Sequence, residues 1–102
     1  MPESTFEIWL SGETKILIFR RTERGRYTSF VVVLMHLLGD RWSDVGRFDS
    51  AHGVPHQDVL GKKSGLIQKI WYDTLSPKQA FKSAIQTFQQ HHENIIARYL
   101  QN

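Results

Sequence analysis

Two stretches of the chain are apolar at odd and even positions alike. Residues 15–19 read Lys-Ile-Leu-Ile-Phe, and residues 27–38 contain Phe30-Val31-Val32-Val33-Leu34-Met35. Their length and β-branched content predict strands. The charged stretch between them contains Gly25, so the pair reads as a β-hairpin. Gly39-Asp40 is a second turn signal, and residues 42–49 continue the meander as a third strand. Upstream, Phe6, Ile8 and Leu10 alternate with Glu7 and Trp9, which predicts an N-terminal strand over residues 5–10. Downstream, residues 56–60 and 66–72 flank Gly61-Lys62-Lys63-Ser64-Gly65, a loop of hairpin length.

The period then changes from two to between three and four. Phe81, Ala84, Ile85, Phe88, Ile95, Ile96 and Tyr99 mark one face of a helix from about residue 76 to residue 100. Ser76, Pro77 and Gln79 form its start: an N-cap, a proline at the first helical position, and a capping box. The expected fold is α+β, an antiparallel sheet of hairpins and meander with one long C-terminal helix packed on it. Strands that are apolar on both sides want cover on both faces, and one helix covers one face. The other face needs sheet curvature, the N-terminal segment or a second copy. A homodimer with an apolar interface over residues 15–38 is expected.

Composition narrows the setting. The chain has 102 residues, 40% hydrophobic and 23% charged, as expected for one soluble globular domain over 1–102. No apolar run approaches the roughly 20 residues of a membrane span. Met1-Pro2-Glu3-Ser4 opens no secretory signal, and there is no cysteine. Disulfides, thiolate metal sites and cysteine nucleophiles are therefore excluded, and a cytoplasmic location is expected. The formal charge is +3. Its excess is local, in Arg20, Arg21, Arg24 and Arg26, with a smaller cluster at Lys62 and Lys63. Such clusters either hold a nucleic-acid backbone or solvate a turn.

Candidate chemistry concentrates in residues 47–58. There Arg47, Asp49, His52, His56 and Asp58 surround Gly53 and Pro55. Arg47 and Asp49 end one strand on a common face, which by period two also carries Val45; His56 and Asp58 start the next. If the strands are neighbours the four side chains converge, with His52 over them from the loop. Three chemistries fit. Metal-independent phosphodiester cleavage would use His52 and His56 for proton transfer, Arg47 for the phosphate charge, and Asp49 or Asp58 to orient an imidazole. His52, His56 and Asp58 could instead hold a divalent metal, although Pro55 rules out the helical His-x-x-x-His geometry. The third possibility is a salt bridge at the strand end with histidines capping loop carbonyls. His36 and His92 read as satisfied core or interface histidines. Trp9, Trp42 and Trp71 read as core anchors or strand-pair partners. No glycine-rich phosphate loop is present, and no cofactor is expected.

The segment Arg47-Phe48-Asp49-Ser50-Ala51-His52, followed by His56 and Asp58, resembles the core of small prokaryotic proteins carrying Arg-aromatic-Asp-x-x-His, among them the TumE-like toxins of toxin–antitoxin systems. Those proteins carry a His-rich stretch after the motif, reduced here to His56 with Asp58. The resemblance implies a small RNA-directed toxin with an antitoxin partner, or a relative that keeps the fold without the activity. The expected function is a metal-independent RNA-directed phosphodiesterase acting through Arg47, Asp49, His52, His56 and Asp58. RNA would be held by Arg20, Arg21, Arg24, Arg26, Lys62 and Lys63. The alternative is a non-enzymatic interaction or nucleic-acid-binding module in which the cluster is structural.

Overall fold

A computed structural model describes residues 3–50 and 53–102. Six strands, β1 (Glu3–Trp9), β2 (Thr14–Glu23), β3 (Arg26–Leu38), β4 (Arg41–Asp49), β5 (His56–Gly61) and β6 (Gly65–Trp71), precede one helix, α1 (Pro77–Gln101). The strands form one antiparallel sheet in the order of the chain. Short connections dictate that order, because antiparallel neighbours can be joined by two-residue turns. Arg24 (φ 52°) and Gly25 (φ 78°) make such a turn between β2 and β3. Two positive φ values in succession fit the type I′ geometry that follows strand twist. Of the four clustered arginines, Arg20 and Arg21 therefore belong to β2 itself.

The helix starts as its sequence dictates. Ser76 accepts from the Gln79 amide, and the Gln79 side chain accepts from the Ser76 amide. It lies across β3, β4 and β5. Ala80, Phe81, Ala84, Phe88 and Ile95 bury against Ile16, Ile18, Phe30, Val32, Leu34, Val45 and Phe48. Phe81 meets Phe30, and Phe88 meets Phe48, in edge-to-face contacts with centroids 5.6 and 5.2 Å apart. Burying a side chain the size of Phe88 contributes about 2–3 kcal/mol. Gly46 lets the helix approach, since a Cβ there would lie 3.1 Å from Phe88 Cε1. At the far end the β5–β6 turn closes the helix. The Lys62 amide donates to the Tyr99 carbonyl (2.9 Å), and the Lys63 and Ser64 amides donate to that of Asn102 (3.1 and 2.9 Å). These bonds satisfy carbonyls that a helix C-terminus otherwise leaves open.

One irregularity sets the phase of β4. Leu34 pairs with Gly46 and Met35 with Asp44, so Val45 is an extra, bulged residue. It joins the core under the helix. The expectation that Val45 shares a face with Arg47 and Asp49 is thereby corrected: period two does not hold across a bulge. Asp44, Arg47 and Asp49 share the face away from the helix.

That face is open. The N-terminal segment extends the sheet as edge strand β1 rather than covering it. The pairing registers lay two transverse rows across all six strands. One row is Thr5, Phe19, Val31, Asp49, His56 and Trp71; the next is Glu7, Leu17, Val33, Arg47, Asp58 and Lys69. No helix among the described residues is long and apolar enough to cross a membrane.

Candidate functional site

Strand pairing brings the polar cluster together. Arg47 lies directly across from Asp58, and Asp49 across from His56. Arg47 Nε and Nη2 both donate to Asp58 Oδ2, at 3.0 and 2.5 Å. Arg47 Nε also stands 3.6 Å from Asp49 Oδ2. His56 Nε2 faces two carboxylates, 3.0 Å from Asp49 Oδ1 and 3.6 Å from Asp58 Oδ1. The other ring nitrogen, Nδ1, lies 3.4 Å from the Val54 carbonyl, which can only accept. Pro55 and the positive φ of Gly53 (85°) shape the approach to β5. The Arg47 guanidinium is held above its ordinary value, first by its hydrogen bonds to Asp58, against the opposing effect of burial. It is a permanent cation in this site.

Four of the five expected residues thus form one network. His52 lies outside the described residues. Lys69 joins them from β6, its Nζ 3.7 Å from Asp58 Oδ1. Trp71 packs its ring 4.9 Å from that of His56 and lies 5.6 Å from Lys69 Nζ. Neither Lys69 nor Trp71 was among the expected site residues. The signal was there: alternate residues of β6 share a face, and hairpin register sets Lys69 opposite Asp58.

Burial assigns different parts to these groups. The side chains of His56 and Asp58 are 2% exposed, and that of Asp49 is 13% exposed. Arg47 and Lys69 keep more than a third of their side-chain surface in solvent. The sequence suggested imidazoles meeting a substrate with carboxylates behind them. For His56 the order is reversed: the imidazole is inside, and Asp49 stands nearer the surface. Asp58 Oδ1 is fully buried without a hydrogen-bond partner within bonding distance among the described residues. Its nearest cations are Lys69 and, when protonated, His56.

Asp49, His56 and Asp58 each offer a ligand atom, all within 4.8 Å of one another. This set shares His56 and Asp58 with the expected metal ligands and has Asp49 in place of His52. A divalent cation has the donors it needs here. However, Arg47 and Lys69 already balance both carboxylates, and a dication would enter against them.

The basic residues separate. Arg20 turns to the helix side, where it donates to Tyr27 Oη (3.2 Å) and lies 5.7 Å from the Phe81 ring. Arg21 pairs with Glu3, which holds the Glu3 carboxyl below its usual range. Arg24 and Arg26 are exposed, with no side-chain partner among the described residues. They continue the end of the sheet that carries Asp49 and His56. Lys62 and Lys63 sit at the opposite end, on the turn that closes the helix. The two clusters do not form one patch.

Other expectations resolve simply. His92 donates to the Phe88 and Gln89 carbonyls (3.1 and 3.2 Å), and His36 bonds Thr14 Oγ1 at 2.8 Å, so both are satisfied histidines. Trp9 meets Trp42 edge-on at 5.6 Å with Lys15 over both rings. Trp9 and Trp71 are about half exposed, so neither is a core anchor.

Among known proteins, no curated protein and no solved structure matches the chain. A family model described as a domain of unknown function, DUF7718, matches residues 1–102, its whole length. The chain, with its open-faced meander and the Arg47–Asp49–His56–Asp58 network, belongs to the DUF7718 family.

Proposed function

We propose that the open face over β4–β6 is a phosphodiester site directed at RNA, of toxin type, working by proton transfer without metal. One observation carries the reading. On the uncovered side of the sheet, a half-exposed guanidinium stands beside a carboxylate–imidazole couple, Asp49 Oδ1 to His56 Nε2, of 3.0 Å. Arg47 neutralises the charge that builds on the phosphate. Lys69, held only at 3.7 Å, swings from Asp58 to a second phosphate oxygen. Asp49, held in orientation by His56, takes the proton of the ribose 2′-hydroxyl. The O2′–phosphorus bond forms as the bond from phosphorus to the 5′-oxygen breaks. His52, three residues after Asp49, returns a proton to that leaving oxygen. The products are a 2′,3′-cyclic phosphate and a free 5′-hydroxyl. On the toxin reading, an antitoxin partner holds this cleavage silent.

A second reading has its own support. His56 and Asp58 are as buried as the core, and Asp58 is gripped by Arg47 through two hydrogen bonds. On this reading the network braces β4 against β5, and the face binds RNA without cleaving it.

The discriminating experiment is cleavage of an end-labelled RNA in EDTA by the wild type, Asp49→Asn, His52→Ala and His56→Ala, each checked for folding by its melting curve. The expected result is cleavage that survives EDTA and falls about 10²–10⁴-fold in Asp49→Asn and His52→Ala. Loss of wild-type cleavage in EDTA transfers the chemistry to a metal at Asp49, His56 and Asp58. Binding with no cleavage by any folded protein supports the bracing reading.

A further inference from the structure

The transverse row through Asp49 and His56 carries an exposed aromatic on each side. Phe19 on β2 is 41% exposed and Trp71 on β6 is 51% exposed. Each stands two strands from Asp49, so each is about 10 Å away across the sheet. Phe19 also walls a cleft of about 260 Å³ whose lining includes Thr5, Ser29 and Val31 with the Arg21–Glu3 ion pair, and reaches the edge residues Ser4 and Arg20. That volume approaches the lower end of small-ligand sites, roughly 300 Å³. Neither ring is accounted for by the apolar core.

We propose that Phe19 and Trp71 are base platforms flanking the phosphate site, so that single-stranded RNA crosses the strands with one base in the Phe19 cleft and a base a few nucleotides along on Trp71. The inference rests on the RNA reading above and adds the direction of the strand and the groups that hold its bases. Sequence-tolerant binding of single strands is built from aromatic platforms beside a cationic track. Here Arg47 and Lys69, in the adjacent row, supply cations alongside the platforms. Arg24 and Arg26 lie on the other side of the platform row, at the β2–β3 turn, within reach of RNA leaving the Phe19 end. Bases seated at the two ends of this span draw the nucleotides between them out of their stack and expose the 2′-hydroxyl at the scissile phosphate. A second copy of the chain fits this face less well, because it would desolvate the half-exposed Arg47 and Lys69 within their ion pairs to Asp58.

The test is fluorescence anisotropy at low salt with a labelled single-stranded oligonucleotide carrying 2′-methoxy groups, which binds but cannot be cut. Wild type, Phe19→Ala, Trp71→Ala and Trp71→Phe are compared after their melting curves confirm folding. Phe19→Ala and Trp71→Ala should each weaken binding about 5- to 150-fold, and Trp71→Phe by less than about threefold. A wild type that binds while both alanine variants stay within about twofold of it overturns the platforms and leaves the RNA reading standing. A wild type that binds nothing at low salt overturns both. In that event, sedimentation showing a dimer that Phe19→Ala splits assigns the face to a second copy.

Discussion

The two faces of this sheet are buried by different means. Under the helix, apolar side chains of β2, β3 and β4 meet apolar side chains of α1, and burial comes from the second layer. On the open face the described residues form no second layer. His56 and Asp58 are nevertheless as inaccessible as Ile95 under the helix. They are covered from within the sheet by Arg47, Lys69 and Trp71, whose own surfaces stay wet. Over β2 and β3 the same face is covered only in part. On the open side Leu17, Val31 and Met35 are half-buried and Val33 is buried, while Phe19 is 41% exposed. Burial by a neighbouring layer gives stability. Burial by neighbours in the same sheet keeps charged groups at the surface and holds them to one geometry.

Three measurements sharpen this contrast. The largest effect belongs to the helix side. Phe88→Ala empties the centre of the contact with Phe48 and Gly46 and should cost about 3–5 kcal/mol by denaturant unfolding. On the RNA reading, binding by the fraction still folded should be unchanged. A loss below about 1 kcal/mol would show that the helix is a loose cover and the two faces are alike. The next effect belongs to the open face. Asp58→Ala strands Arg47 and Lys69 and removes one carboxylate from His56. A fully buried pair loses about 3–5 kcal/mol when one partner goes. With Arg47 partly in solvent, about 2–3 kcal/mol is expected. A neutral result would mean the network is surface decoration.

The smallest effect is a titration. Tyr72 packs beside Phe48 on the helix side and donates to Gln57 Oε1 at 2.9 Å. Burial pushes its phenol above the ordinary value near 10. Its folded-state pKa is raised, so its contribution is complete below the ordinary value and is lost as pH rises through the folded one. An alkaline absorbance titration should show one of the three tyrosines ionising late, and Tyr72→Phe should remove that phase. Arg47 obeys the same rule, but a guanidinium's ordinary value already lies above this range and is raised further, so its ion pair persists through the whole titration.

The elements were legible because each carries a local signal. The Ser76–Gln79 capping box, the helix stripe ending near Tyr99, and the turns at Gly25, Gly39 and Gly61–Gly65 need no tertiary information. Convergence of Arg47, Asp49, His56 and Asp58 was legible too, since a short connection makes antiparallel neighbours of the strands that carry them. What the sequence could not yield is non-local. The burial of His56 depends on Trp71, fifteen residues away, and Lys69 enters the site only through the register of a second hairpin. Arg20 looks like its neighbours in the basic cluster, yet one step of strand alternation turns it onto Tyr27 and Phe81. The position of Val45 was hidden for another reason: two-residue periodicity carries no mark of where it restarts.

That restart makes β4 behave as two segments with separate reading frames. Before the bulge, alternation follows from Asp44; after it, alternation follows from Gly46. Deleting Val45 would leave Asp44, Gly46 and Arg47 alternating regularly, with Arg47 and Asp49 still on the open face. Deleting one residue between Arg47 and the end of the strand would invert everything that follows. Length changes in β4 should therefore be absorbed at residues 44–46 and nowhere nearer the cluster. The bulge works as an expansion joint: it uncouples the packing of the first half of the strand from the aim of the second.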